Sequence, residues 1–299
     1  MDILTIKGLK KRFGEKEVLK GLDLCVKENS IFGFVGRNGA GKTTTMKAIL
    51  GLITTDAGEI YLSGERVKYG DSRTNRYIGY LPDVPQFYSF MTAREYLKLC
   101  GESLSMKKND IEKRSEELLL LVGLSEEKGR IKGYSRGMKQ RLGIAQALLA
   151  RPKLLICDEP TSALDPIGRK EILDILLSAR KETTVLFSTH ILSDVERICT
   201  DVALIEGGTI AMQGSVDDLK RAHSIEEITV ELTDAEAAQK LLSLCGGARL
   251  TDKTTFVLSG GEQEMLLLLD IISKNHISVC KIERTEASLE SLFLEVVKK

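Results

Sequence analysis

The chain has 299 residues, and its 43 basic and 43 acidic side chains cancel to a formal net charge of zero, which leaves no overall positive field to attract nucleic acid. The six cysteines are scattered without a C-x-x-C pair, which predicts reduced thiols rather than a disulfide frame or a zinc site. The sequence shows neither a signal-peptide core nor an apolar stretch near the roughly 18–20 residues that span a bilayer, so we predict a cytosolic protein whose membrane role would require another chain.

The first predicted elements are β-strands within residues 2–35, where apolar and polar side chains alternate. A strand pair at 58–67 and charged, leucine-rich helices within 92–128 follow. The next predicted elements are a helix at 139–150, a strand at 153–157, a helix at 171–181, a strand at 183–188 and a hairpin at 202–214. Strands that alternate with helices predict an α/β fold in which helices cover both faces of a mainly parallel sheet.

A larger domain is predicted to span 1–220, and a smaller domain is predicted at 221–299. The elements expected in the smaller domain are strand 226–232, helix 234–244, strands 248–251 and 254–258, helix 262–275, strand 277–284 and helix 288–298. Its β-α-β-β-α-β order predicts an α+β ferredoxin-like domain. The LSGGEQ sequence at 258–263 is interpreted as a Gly-Gly turn that leads into a helix.

Residues 36–43 match the phosphate-binding P-loop pattern G-x-x-x-x-G-K-[ST]. An apolar strand precedes them and a predicted helix at 44–50 follows, so backbone N–H groups at a helix N-terminus would face an anion. Lys42 would reach the β- and γ-phosphates, and the Thr43 hydroxyl would ligate Mg²⁺. The residues predicted to bind the nucleotide phosphates are Gly36, Arg37, Asn38, Gly39, Ala40, Gly41, Lys42, Thr43 and Thr44. The alternative is a glycine-rich turn that binds nothing.

Residues 153–159 read KLLICDE, an apolar strand that ends in two acids. In this Walker B arrangement, Asp158 would hold Mg²⁺ through water and Glu159 would act as the general base for the attacking water. A helix cap is the alternative for such an acid pair. The P-loop about 115 residues earlier favours the catalytic interpretation.

Between these motifs, residues 133–141 read GYSRGMKQR. Ser135 and Gly137 predict a second turn at a helix N-terminus, where a serine caps the helix and free N–H groups favour an anion. The order of the three motifs is that of the ATP-binding subunits of ABC transporters, which residues 1–220 resemble.

The family's usual signature is LSGGQ, and this chain departs from it at Tyr134, Arg136 and Met138. The resemblance implies that Ser135, Arg136 and Gly137 serve the ATP of a partner subunit. Two ATP molecules would then be buried in a head-to-tail dimer with two-fold symmetry, expected to be a homodimer.

Four further residues take their roles from the resemblance. Asp165 would lie in the D-loop that couples the two ATP sites, with a polar turn before a proline as the alternative. His190 would contact the γ-phosphate and orient water. Phe13 would stack on adenine, with a core phenylalanine as the alternative. Asp83 stands where many members have a Mg²⁺-sensing glutamine, and it is preferred to Gln86, which would shift the loop by three residues.

The resemblance implies an ATPase with ATP and Mg²⁺ as cofactors, whose dimer drives a separate membrane permease from the cytoplasmic face of the cell membrane. A helical subdomain at about 84–130 would receive the permease. Export is favoured because the chain resembles the subgroup of drug, peptide-antibiotic or sodium exporters. Relatives that resemble drug or peptide-antibiotic exporters often carry an acid at the position of Asp83. A soluble ABC-type ATPase acting on ribosomes or DNA is the main alternative. A P-loop GTPase and a non-catalytic binding module are less consistent with the full set of motifs.

Overall fold

The computed structural model describes residues 1–222, 227–285, 289–290 and 292–293. The chain divides into two compact units, Met1–Val216 and Asp217–Lys299. Each unit has an apolar core of its own. Within the described residues, we find no helix with the length and apolar character needed to cross a membrane.

The first unit contains two sheets. Its strands are β1 Asp2–Phe13, β2 Lys16–Lys27, β3 Ile31–Val35, β4 Ala57–Leu62, β5 Glu65–Arg66, β6 Ile78–Leu81, β7 Leu154–Asp158, β8 Thr184–Thr189, β9 Asp201–Glu206 and β10 Thr209–Ser215. The smaller sheet is antiparallel with the order β2-β1-β4-β5. The larger sheet has the order β10-β9-β3-β8-β7-β6 and is parallel except between β9 and β10.

Helices pack around these sheets. They are α1 Lys42–Ile49, α2 Ala93–Ser103, α3 Lys108–Leu121, α4 Arg136–Leu148, α5 Pro166–Ala179 and α6 Leu192–Ile198, and α7 Val216–Ala222 follows at the boundary between the units. The helical segment predicted at 84–130 contains α2 and α3. The α/β class and the mainly parallel central sheet are confirmed.

The centre of the larger sheet explains how distant motifs meet. Every residue of β3, β7 and β8 is buried, as expected for parallel strands covered on both faces. The strands are neighbours in the order β3-β8-β7 and run in the same direction, so their carboxyl ends lie at one edge. The P-loop, Asp158 and His190 lie at or just after these ends, and this edge is where α/β folds place ligands.

Two helices begin three or more residues earlier than their apolar pattern predicted. Helix α4 begins at Arg136 rather than Lys139, because the Ser135 side chain caps it. Helix α5 begins at Pro166 rather than Glu171, because Asp165 is its N-cap and proline fits the first helical turn. Apolar periodicity does not detect a polar first turn, so the predicted start of α5 was wrong, whereas the Ser135 cap had been predicted separately for α4.

The second unit is a four-stranded antiparallel sheet with two helices. Its elements are β11 Glu227–Leu232, α8 Ala235–Leu244, β12 Ala248–Leu250, β13 Thr255–Ser259, α9 Glu262–Lys274 and β14 Val279–Thr285. The sheet order β12-β13-β11-β14 is the ferredoxin-like order expected from the sequence. Of the predicted terminal helix at 288–298, only residues 289, 290, 292 and 293 are among those described.

The LSGGEQ segment is a turn into α9, as predicted. Gly261 occupies the N-cap position, and its backbone N–H donates to the Glu264 carboxylate at 2.8 Å. This contact is a local helix-start interaction within the second unit. The segment therefore has a complete structural explanation.

Candidate functional site

The loop at residues 36–41 joins β3 to the N-terminus of α1. A side chain at Gly36 would meet the Ile205 carbonyl oxygen at 2.6 Å, so this position accepts only glycine without rearrangement. Gly41 has φ of 116°, a backbone conformation that side chains disfavour, and it forms the N-cap of α1. The first turn of α1 thus presents backbone N–H groups without an intrahelical partner, as an anion site requires.

Lys42 is 5% exposed and begins α1. Its ammonium group donates to the Gly36 carbonyl oxygen at 2.7 Å and lies 3.1 Å from Glu159 Oε1. The other carboxylate oxygen of Glu159 lies 2.9 Å from His190 Nδ1. Glu159 therefore bridges the P-loop lysine and the candidate switch histidine.

Glu159 has a left-handed backbone with φ of 48°, which is strained for a residue other than glycine. Its backbone N–H donates to the Ser188 hydroxyl at 3.0 Å. The same hydroxyl donates to Asp158 Oδ1 at 2.6 Å. Ser188, on β8, therefore fixes both acids of the Walker B pair. Sequence analysis missed it, and the only available signal was a hydroxyl within an otherwise apolar strand.

Lys42, Asp158 and Glu159 line a cavity of about 270 Å³. Its lining includes Val18, Asn38, Gly39, Gly41, Lys42, Thr43, Thr44, Asp83, Asp158 and Glu159. The structure therefore brings together the P-loop, both Walker B acids and Asp83, which the sequence places far apart. Val18, on β2, is a lining residue that sequence analysis missed because an apolar strand residue carries no distinguishing pattern.

Three of the lining residues could hold Mg²⁺. Thr43, Asp158 and Asp83, whose side chains carry oxygen ligands, all line the cavity. Among the described residues, no group of three or more acids, histidines or cysteines is arranged to hold a metal by itself. Mg²⁺ in phosphoryl-transfer sites is usually held by one or two carboxylates together with substrate phosphates. The donor set therefore fits a Mg²⁺ ion that binds with a nucleotide.

Tyr80 lies on β6, beside β7. Burial raises the pKa of its phenol to about 12, and the negative charge of Asp158 contributes to the same shift. The phenol therefore stays neutral at physiological pH and adds no charge next to the Walker B pair.

The signature turn lies at the start of α4. The Ser135 hydroxyl accepts a hydrogen bond from the Met138 backbone N–H at 3.2 Å, which confirms the predicted cap. A side chain at Gly137 would have its nearest described contact, Leu164, at 3.9 Å. Ser135 and Arg136 are exposed, so this helix N-terminus is open to solvent.

Asp83 follows β6 and contacts this turn. Its carboxylate lies 3.4 Å from an Arg136 guanidinium nitrogen, and its carbonyl oxygen accepts a hydrogen bond from Gln140 at 2.7 Å. The side chain that lines the cavity is therefore also linked to the signature turn of the same chain.

Two other predicted residues have different surroundings. Phe13 is 51% exposed at the end of β1, with the Lys11 ammonium 5.0 Å from its ring centre, so it is not a core phenylalanine. Asp165 accepts a hydrogen bond from the Gly168 N–H at 3.1 Å as the cap of α5. The ring of Phe13 remains available for stacking, whereas the described contact of Asp165 is local.

Comparison with known proteins agrees with this arrangement. The sequence profile of the family described as ABC transporter matches residues 19–162. The chain is 39% identical over 299 residues to the uncharacterized ABC transporter ATP-binding protein YxlF of Bacillus subtilis (strain 168), covering 99% of both proteins. The chain belongs to the ABC transporter ATP-binding protein family. The resemblance inferred from the motifs is confirmed.

A second relative of this ABC chain has a named role. The bacitracin transport ATP-binding protein BcrA of Bacillus licheniformis is 38% identical over 304 residues, covering 99% of this chain and 97% of that protein. A solved structure described as the ATP binding subunit of an ABC transporter matches with a TM-score of 0.65 at 32% identity, covering 74% of this chain and 92% of that chain. ABC ATP-binding subunits bind ATP, dimerise and work with membrane permease subunits.

Proposed function

We propose that this chain hydrolyses ATP with Mg²⁺ and couples the reaction to export through a permease encoded as a separate chain. The observation that carries the proposal is the bridge from Lys42 through Glu159 to His190, because Lys42 and Glu159 line the same cavity as Asp158. In the proposed location, the chain is peripheral to the cytoplasmic face of the membrane.

The residues have distinct proposed roles. Bound ATP would supply the phosphoryl group, and a Mg²⁺ ion bound with it would neutralise charge on its phosphates. Lys42 leaves its ion pair with Glu159 and contacts the ATP phosphates, whose oxygens also accept hydrogen bonds from the P-loop N–H groups. Glu159 is then free to accept a proton from water, and His190 keeps the carboxylate oriented. Thr43, Asp158 and Asp83 are the proposed Mg²⁺ residues.

A homodimer is the proposed working state. The signature turn is a capped, open helix N-terminus with Gly137 uncrowded, as would suit approach by a phosphate group of a second subunit. Dimer closure can do mechanical work only if ATP binds the closed state more tightly than the open state. The export direction and the peptide-antibiotic class of cargo are proposed from the likeness to BcrA.

The first experiment compares Glu159→Gln with a matched surface variant, Glu236→Gln, in the full chain. If Glu159 is the general base, its amide variant loses about 10²–10⁴-fold in turnover while ATP affinity is retained. The Glu236 variant should match wild type, since that residue is exposed in the second unit. Wild-type turnover in Glu159→Gln would refute the assignment of the base.

The second step identifies the partner. The tagged Glu159→Gln chain, held with ATP, is purified from detergent-solubilised membranes of the source cells. Recovery of a multi-span membrane protein supports the transporter proposal and provides the permease for cargo assays. Recovery of ribosomal or DNA complexes alone would refute it in favour of a soluble ABC-type ATPase.

A further inference from the structure

Two departures from the family's usual motif residues face each other in this chain. Position 83 has an acid where many members have glutamine, and position 136 has arginine where the LSGGQ signature has glycine. The Arg136 guanidinium lies 3.4 Å from Asp83 Oδ1. The two substitutions therefore introduce opposite charges that pair with each other within a single subunit.

The backbone beneath this pair is held firmly. Gln140, one turn along α4 from Arg136, is fully buried and donates to the Asp83 carbonyl oxygen at 2.7 Å. One turn further, Gly143 packs so closely on Leu81 that a side chain there would clash. The end of β6 and the start of α4 are thus joined at two points, which leaves the two charged side chains as the parts free to change partners.

The pair itself is exposed, with 44% of the Arg136 side chain and 47% of the Asp83 side chain accessible. Exposed ion pairs of this kind shift an equilibrium by only about two- to fivefold. Such an ion pair is strong enough to favour the paired conformation of the two side chains and weak enough to break in every reaction cycle.

Asp83 also lines the nucleotide cavity together with Thr43 and Asp158. We propose that the Asp83–Arg136 ion pair is a latch that holds both side chains in the nucleotide-free subunit. The latch opens when the Asp83 carboxylate turns to Mg²⁺ bound with a nucleotide. Arg136 is then free to contact the phosphates bound by a partner subunit. The proposal rests on the proposed nucleotide function. In this proposal, Arg136 first positions Asp83 within its own subunit and then binds the nucleotide of the partner subunit.

The test is a double-mutant cycle on nucleotide affinity in the full chain, at dilutions where light scattering shows a monomer. Affinity for ATP is measured with Mg²⁺ and with excess chelator, for wild type, Arg136→Gln, Asp83→Asn and the double variant. Loss of the latch in Arg136→Gln should raise affinity for Mg²⁺-ATP by about two- to fivefold and leave affinity for Mg²⁺-free ATP unchanged. On the Asp83→Asn background, the Arg136 substitution should have no effect.

Two controls separate the latch from other effects. Arg136→Lys keeps the charge and should restore wild-type affinity. Arg249→Gln removes a surface ion pair with the half-buried Glu227 in the second unit and should change nothing. Equal effects of Arg136→Gln in both Asp83 backgrounds, or weaker Mg²⁺-ATP binding in the monomer, would overturn the latch. Failure of the wild-type chain to bind ATP at all would instead overturn the proposed function.

Discussion

Asp194 is a buried acid that links the segments following the two candidate catalytic residues. Its side chain is 2% exposed, and its carboxylate accepts hydrogen bonds from the Thr161 hydroxyl at 2.8 Å and from Arg169 Nε at 2.6 Å. Thr161 comes shortly after Glu159, and α6, which contains Asp194, begins shortly after His190. A buried, fully paired carboxylate of this kind fixes the positions of the loops it joins.

We predict that Asp194→Asn lowers the free energy of unfolding by about 2–3 kcal/mol, because Arg169 loses a charged hydrogen-bond partner. The matched control is Asp174→Asn, which removes an exposed pair between α5 and α6, with Arg197 at 2.9 Å. That change should stay within about 0.5 kcal/mol. Urea unfolding of both variants provides the comparison, and equal midpoints would show that the Asp194 network is dispensable.

Residues in continuous motifs could be predicted from the sequence, whereas contacts between distant segments could not. The P-loop follows one apolar strand and Asp158 ends another, so the positions of Lys42 in the P-loop after β3 and of Asp158 at the end of β7 were predictable. The Thr161–Asp194 and Asp83–Arg136 contacts join side chains from separate segments, and no local pattern encodes such a pairing. The cap formed by Ser135 was predicted because capping is a local interaction.

At the scale of elements, β6 and α4 approach each other closely. A side chain on Gly79 of β6 would collide with the carbonyl oxygen of Ala147 on α4. The obstacle is backbone within a helix, which cannot move as a side-chain tip could. This contact positions both the loop that contains Asp83 and the helix that begins at the signature turn.

We predict that Gly79→Ala destabilises the first unit by about 1–3 kcal/mol, as overpacking of a close contact does. The control is Gly133→Ala, where an added side chain would meet none of the described atoms within 4 Å. Its effect should stay within about 0.5 kcal/mol. Thermal unfolding curves of the two variants test the prediction. It fails if Gly79→Ala unfolds at the same midpoint temperature as Gly133→Ala.

Element types were more predictable than element starts. The buried strands β3, β7 and β8 and the helices between them follow from apolar runs and periodicity. The early starts of α4 and α5 depend on Ser135, Asp165 and Pro166, which lie outside the apolar pattern. Polar capping adds residues to a helix that hydrophobic spacing alone assigns to a loop.

At the scale of the whole molecule, the two units bury different residues. Phe32 on β3, the strand that leads into the P-loop, is buried in the core of the first unit. Phe256 on β13 is fully buried in the core of the second unit. Because the two cores are packed separately, a substitution that destabilises one core is expected to leave the function of the other unit unchanged.

We therefore predict that Phe256→Ala costs about 3–5 kcal/mol of stability in the second unit and leaves ATP affinity unchanged. Phe32→Ala creates a cavity of the same kind under the strand that leads into the P-loop, so it should weaken ATP binding as well as lower stability. Calorimetric unfolding together with ATP titration of both full-length variants separates the two effects. Both substitutions delete a buried phenylalanine ring, one in each core. A comparable loss of ATP affinity in Phe256→Ala would therefore mean that the nucleotide site depends energetically on the core of the second unit.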